Sequence, residues 1–188
     1  MTHEKLIVIG ENINTTRRIR ADSANIVKRD DRYVWLYKDL DGSEGAFDVT
    51  DAYPKEGALK KTGRVGHIGH AVRTRDMKFV TWAILSQVNA GAHIIDLCCD
   101  ELSVYPEERK DHMRWLVKAA QSISNVPFAI DSSDPETIKA GLEVYDRKNG
   151  RPAINSVSLE AGRDVLIHIA KEQNCIIFGN GSGASGMP

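Results

Sequence analysis

No run of apolar residues in this chain approaches the length that a bilayer span requires. Cysteine is scarce. Three residues, two of them adjacent (Cys98 and Cys99), give neither a disulfide framework nor a zinc-ligand spacing. That usage fits a reducing, cytoplasmic setting. An excess of charge of one sign is missing too. The formal net charge of −1 and an isoelectric point of 6.6 give no electrostatic case for nucleic acid or for an anionic membrane. The N-terminus, Met1-Thr2-His3-Glu4-Lys5, has no signal-peptide pattern. Low-complexity tracts are absent. No Gly-x-Gly-x-x-Gly follows the first apolar run, which weighs against a dinucleotide fold. What is present is 188 residues, enough for one domain with a substantial core.

The recurring pattern is a short apolar run, a polar tip, then a helical stripe. Leu6-Ile7-Val8-Ile9 predicts a buried strand, ending in the polar cluster Gly10-Glu11-Asn12-Ile13-Asn14-Thr15-Thr16. Residues from about Arg17 to Arg73 are charged and poorly periodic, and read as a long loop, of a length that is more often functional or partly disordered. Within it, Tyr33–Tyr37 and Ala46–Val49 predict a hairpin. His67 and His70 form a His-x-x-His pair, but no acid or thiol is spaced to complete a metal site, so no metal is expected.

Regular structure resumes at Thr74, read as an N-cap. Val80, Ala83, Ile84, Gln87 and Val88 follow as a helical stripe, with Gly91 at the C′ position. The next strand, within Ala92–Glu101, has an acidic tip at Asp96 and Asp100. Pro106, Glu107 and Glu108 open a helix whose inner face is Met113, Leu116, Val117 and Ala120. Val126 to Ile130 is a strand that delivers Asp131 at its end. A charged side chain there is costly unless something binds it. Ser133 with Glu136 reads as a capping box, and Asp134 is the alternative cap. Pro152–Ser158 is another strand, with Asn155 near its tip. Ser158 is read as the cap of a helix carrying Val165, Leu166, Ile169 and Ala170 inside. Cys175–Asn180 is the last strand.

Strands and helices alternating in this way predict an α/β fold with parallel strands and crossover helices. Either a (β/α) barrel or an open doubly wound sheet satisfies the order. In a barrel, Glu11, Asn14, Asp96, Asp131, Asn155 and Asn180 converge on one mouth.

The tips also resemble a known family. Gly10-Glu11-Asn12-Ile13-Asn14 is similar to the Gly-Glu-Arg-x-Asn opening of the pterin-binding methyltransferases. These are the methyltetrahydrofolate:corrinoid methyltransferases and the folate-binding module of cobalamin-dependent methionine synthase. Gly91 to Asp96 with Asp100-Glu101 resembles their second strand. Phe128 to Ser133 resembles the third, and Ala153 to Ser158 with Glu160 and Gly162 the fourth. The resemblance covers Leu6 to Asn14 and Thr74 to about Pro188. Dihydropteroate synthase is the nearest cousin.

This resemblance implies an eight-stranded TIM barrel of the dihydropteroate synthase-like type. The chain would be a single pterin-binding domain over residues 1–188, with 17–73 as an insertion. Only about the first five β/α units are expected here. The chain would then be a C-terminally truncated fragment, or one completed by another subunit. The implied activity is a methyltransferase of one-carbon metabolism. It would move a methyl group between N5 of tetrahydrofolate or methyltetrahydrofolate and the cobalt of a cobalamin or related corrinoid on a partner protein. The implied substrate-binding residues are Asp131, Asn155, Glu11, Asn14, Asp96 and Ser132. A catalytic residue is not identified, because the asparagine near N5 in relatives falls beyond Pro188. Cys98 stands where relatives commonly carry asparagine. The insertion follows the first strand, at the active face, and is expected to be a lid or a docking surface. Two other readings stay open: a dihydropteroate-synthase-like enzyme, and a non-catalytic pterin-binding module. A homodimer is an open assembly, and no membrane or nucleic-acid partner is expected.

Overall fold

A computed structural model describes residues 6–55, 63–181 and 183. Its centre is a parallel sheet of β1 (Ile9–Asn14), β7 (Ile94–Cys98), β8 (Phe128–Asp131), β9 (Ala153–Val157) and β10 (Ile176–Gly179), in that order. Every neighbouring pair is parallel. The spatial order equals the chain order, with none of the reversal that makes a doubly wound sheet. The open doubly wound alternative is therefore removed.

The crossovers are helical. Helices α1 (His67–Thr74) and α2 (Met77–Asn89) separate β1 from β7; α3 (Pro106–Ile123), α4 (Pro135–Glu143) and α5 (Val165–Glu172) join the later strands. Ile95, Leu97, Phe128, Ile130 and Ile154 point to the helical side and are fully buried against it. The opposite face carries a second, smaller cluster of Ile94, Ala129 and Ala153, with Ile176 and Phe178 beside it. Both faces are thus apolar towards the N-terminal ends of the strands, as in buried parallel sheets.

The described residues of the 17–73 stretch are structured. β2 (Ile19–Arg20) pairs antiparallel with β6 (Arg64–Val65) and closes its base. Between them, β3 (Ile26–Arg29), β4 (Arg32–Lys38) and β5 (Glu44–Asp48) form an antiparallel meander. The expected hairpin is present with Trp35 opposite Phe47, and β3 adds a third strand that periodicity did not reveal. Gly42, at φ +86°, makes its turn, where Asp41 accepts from the Ser43 amide and hydroxyl. The meander is fastened to α2 by aromatic rings. Trp35 lies edge-on to Trp82 at 5.5 Å, and Phe47 stacks on Phe79 at 4.2 Å. The Trp82 indole also donates to the Lys38 carbonyl at 2.9 Å.

Several local expectations are corrected. Leu6, Ile7, Val8 and Ile9 are exposed, Leu6 at 79%. The strand starts at Ile9 and, among the described residues, lies at the end of the row with β7 as its neighbour, so those side chains lack a second layer. Thr74 ends α1; it does not cap α2. Asp76 does so, accepting from the Phe79 amide at 2.8 Å. Asp134, not Ser133, caps α4, accepting from the Glu136 amide at 3.1 Å. Ser158 accepts from the Glu160 amide within a turn, and α5 begins later, after Asp164. Gly91 does sit past the end of α2, at φ +94°. No helix among the described residues is long and apolar enough to cross a membrane.

Candidate functional site

Parallel register puts side chains of neighbouring strands on the same face. Cys98 is level with Asp131, and Asp131 with Asn155. Asp96, two residues before Cys98, shares their face. Three polar groups on β7, β8 and β9 therefore stand together above the small apolar cluster of Ile94, Ala129 and Ala153. Asn155 Nδ2 donates to Asp96 Oδ1 at 3.0 Å.

Asp96 is 1% exposed, and its carboxyl group is pushed up to about 7. Burial is the main cause, and the neighbouring Asp131 charge adds to it. Burial raises Asp131 as well. Two carboxylates this close cannot both stay ionised cheaply. The proton rests on Asp96, the more deeply buried of the two. The Cys98 thiol, level with Asp131 on the neighbouring strand, works against the rise at Asp131. Burial first, then the Asp131 charge, drive the thiol's own ionisation far upward, so it remains an S–H. Below about pH 7 the row is thus a neutral acid at Asp96, a carboxyl at Asp131 and an amide at Asn155, and Asp96 loses its proton as pH rises through that value.

The other residues named from the sequence behave differently. Glu11 is exposed in the middle of β1, in its irregular stretch between Gly10 and Ile13, and its charge adds to the rise of Asp96. Asn14 Oδ1 accepts from the Thr16 amide at 3.0 Å and its hydroxyl at 2.7 Å, so it shapes the turn after β1. Ser132 is buried and donates to Asp100 Oδ1 at 2.6 Å, while Asp100 Oδ2 accepts from the Ser133 amide at 2.8 Å. Ser132 and Asp100 therefore tie the β7 and β8 loops together. His67 and His70 pack on aromatic rings, Trp35 and Phe47 respectively.

Two contributors escaped sequence reasoning. Arg163 donates to the carbonyls of Ser132 and Ser133, both at 2.9 Å, and to that of Ser156. One guanidinium thereby grips the loops after β8 and β9, and its charge holds Asp131 down against the effect of burial. Gln87, read as part of an apolar stripe, accepts from the Asn12 amide at 2.8 Å. That amide lies in the β1 bulge between Gly10 and Ile13. A Cβ on Gly10 would fall 2.6 Å from Gln87 Oε1, so only glycine permits this approach. The signal available was Gly10 itself, one residue before Glu11.

Polar groups gathered towards the C-terminal ends of consecutive parallel strands occupy the position where α/β folds place their sites. The chain belongs to the pterin-binding enzyme family, whose model matches residues 70–179, more than half of the chain. It is 32% identical over 109 residues to a methylcorrinoid:tetrahydrofolate methyltransferase of Eubacterium limosum, covering 57% of this chain and 38% of that protein. It is 36% identical over 76 residues to a methionine synthase of Mycobacterium tuberculosis, covering 40% of this chain and 6% of that one. The chain thus spans well under half the length of these relatives. Asp96, Asp131 and Asn155 lie inside the family match, whereas Glu11, Asn14 and most of the insertion lie outside it.

Proposed function

We propose that the chain binds the pterin ring of tetrahydrofolate or methyltetrahydrofolate at Asp96, Asp131 and Asn155, and serves methyl transfer between folate N5 and a corrinoid on a partner protein. The observation that carries this reading is the shared face of these three side chains on adjacent strands, within the family match. A pterin edge presents N–H donors beside a carbonyl acceptor. The Asp131 carboxylate accepts from such donors, and the Asn155 amide both donates and accepts. The protonated Asp96 keeps the pair from presenting two repelling charges. In this reading the five strands are part of an eight-stranded barrel wall, residues 1–188 are one pterin-binding domain, and 17–73 is its insertion.

The residues present suit the folate's ring. The corrinoid, when bound, supplies the cobalt chemistry of the methyl group. This chain's share is to orient N5 and to supply hydrogen bonds as the amine becomes a leaving group. The name of the Eubacterium limosum relative favours methyl transfer over pterin condensation.

The test is equilibrium binding of methyltetrahydrofolate by calorimetry, with transfer to cob(I)alamin followed in parallel. Asp131→Asn and Asn155→Ala should each weaken binding by about 1–3 kcal/mol, the cost of an unpaired buried group. Unchanged affinity in both variants removes the site. Binding without transfer supports the non-catalytic module instead.

A further inference from the structure

The loop that follows β8 is held from two sides by groups of opposite charge. Asp100, in the loop after β7, accepts from the Ser132 hydroxyl at 2.6 Å and from the Ser133 amide at 2.8 Å. Arg163, in the loop after β9, donates to the carbonyls of the same two serines, both at 2.9 Å. One ion takes donors of Ser132 and Ser133, and the other takes their acceptors. Arg163 also donates to the Ser156 carbonyl. Ser132 directly follows Asp131, and Ser156 directly follows Asn155. The two ions therefore act on the residues next to both of these side chains. Hydrogen bonds to charged groups are roughly twice as strong as neutral ones. Ser132 is buried, so water does not compete for its bonds.

Both ions also reach Asp131. Burial raises its carboxyl most, and the Cys98 thiol opposes that rise. The Asp100 charge then pushes the carboxyl further up, and the Arg163 charge pulls it down. The remaining groups around it are Asp96 on β7 and Asn155 on β9. Glu11, on β1, acts on Asp96. At the start of α4, Asp134 faces Arg109 of α3 at 3.8 Å and caps its own helix. Asp100 and Arg163 are thus alike as braces and opposite as charges.

We propose that Asp100 and Arg163 are a matched pair of positioning residues, which clamp the loop after β8 so that Asp131 presents its oxygens to the N–H donors of a ligand. The proposal rests on the reading of Asp131 as the acceptor of the strand-tip site. Neither residue needs to touch the ligand. A carboxylate accepts from N–H donors only while ionised, so binding is lost as pH falls through the Asp131 transition. Arg163 moves that transition to lower pH and Asp100 moves it to higher pH. A clamp built from two like charges would hold the loop equally well but would not leave Asp131 balanced between them.

The experiment titrates the carboxyl carbon signal of Asp131 by nuclear magnetic resonance in the ligand-free full chain. The Asp96 signal is followed alongside, because the two groups titrate together. Arg163→Gln should move the Asp131 midpoint to higher pH, and Asp100→Asn should move it to lower pH. Arg163→Lys keeps the charge and should leave the midpoint near that of the parent. Calorimetry with methyltetrahydrofolate over the same pH range gives the second readout. Affinity should fall away at higher pH in Arg163→Gln than in the parent, and at lower pH in Asp100→Asn. Arg163→Lys should bind more weakly with the parent's pH profile, since an ammonium lacks the planar fork that reaches three carbonyls. Melting curves show which variants fold, and Arg163→Lys with Asp100→Asn decides the matter if Arg163→Gln does not. A loss of structure alone would not shift the two midpoints in opposite directions. Shifts of the same sign, or none, overturn the inference, as does parental affinity in Arg163→Lys. Opposite shifts in a chain that binds no methyltetrahydrofolate uphold the clamp and remove the folate reading instead.

Discussion

At the scale of single residues, the informative group is Asp96. Its folded pKa of about 7 lies above the ordinary value of 3.8, so the folded state holds a proton that the unfolded chain releases. The sign follows directly. This group's contribution to stability is full below about pH 4 and is lost as pH rises through about 7. Urea denaturation of the ligand-free protein at several pH values in this window should show stability falling. Asp96 should contribute at most about 1.4 kcal/mol per pH unit. Asp96→Asn keeps a donor towards Asp131 and should flatten the slope. An identical slope in the variant would show that Asp96 does not hold the proton. The sequence made Asp96, Asp131 and Asn155 legible because a charge or amide in an apolar strand has few structural explanations. It concealed Arg163, since an arginine in a polar loop looks like ordinary surface. Asn14 and Ser132 hold turns and loops in this structure, a role that short polar side chains at strand ends take as readily as they take ligands.

At the scale of elements, helical stripes were the most readable feature. Met113, Leu116, Val117 and Ala120 of α3 are all fully buried, as their spacing demanded. Caps were less readable, because Ser133 and Asp134 are adjacent and either could accept the first-turn amide. Packing between α4 and its neighbours sets a tighter constraint than caps do. A Cβ on Gly141 would lie 2.9 Å from Ile130 Cγ2 and 3.0 Å from Met113 Cγ. Gly141→Ala should therefore destabilise the protein by about 1–3 kcal/mol, despite alanine's better helix propensity. Chemical denaturation decides this, and a stabilised variant would show that β8 and α3 yield easily. The meander exposed a different limit. Its strands are short and its apolar residues face α2, so the period-2 signal of β3 was too brief to separate from loop.

At the scale of the whole molecule, the insertion belongs to the main core. Tyr37, Phe47 and Val49 join Phe79, Leu97 and Leu116 in one buried cluster. Ring contacts to α2 from Trp35, Tyr37 and Phe47 fix the meander as part of the body. Heating should therefore give one cooperative transition. The near-ultraviolet signal of the tryptophans and the far-ultraviolet helical signal should coincide. A separate, earlier loss of the tryptophan signal would make the meander an appendage. Alternation of strands and helices made the parallel sheet legible from sequence. It left the choice between barrel-type and doubly wound order open, because both use the same crossover unit. Among the described residues the strands follow chain order, without the reversal of a doubly wound sheet.

The grip of Arg163 on the carbonyls of Ser132, Ser133 and Ser156 has an entropic consequence. Two loops that would otherwise fluctuate independently are braced as one plate beside Asp131. Under the proposed function, a flat guest arriving there would find its floor already set, and little of the docking energy would go into immobilising the host.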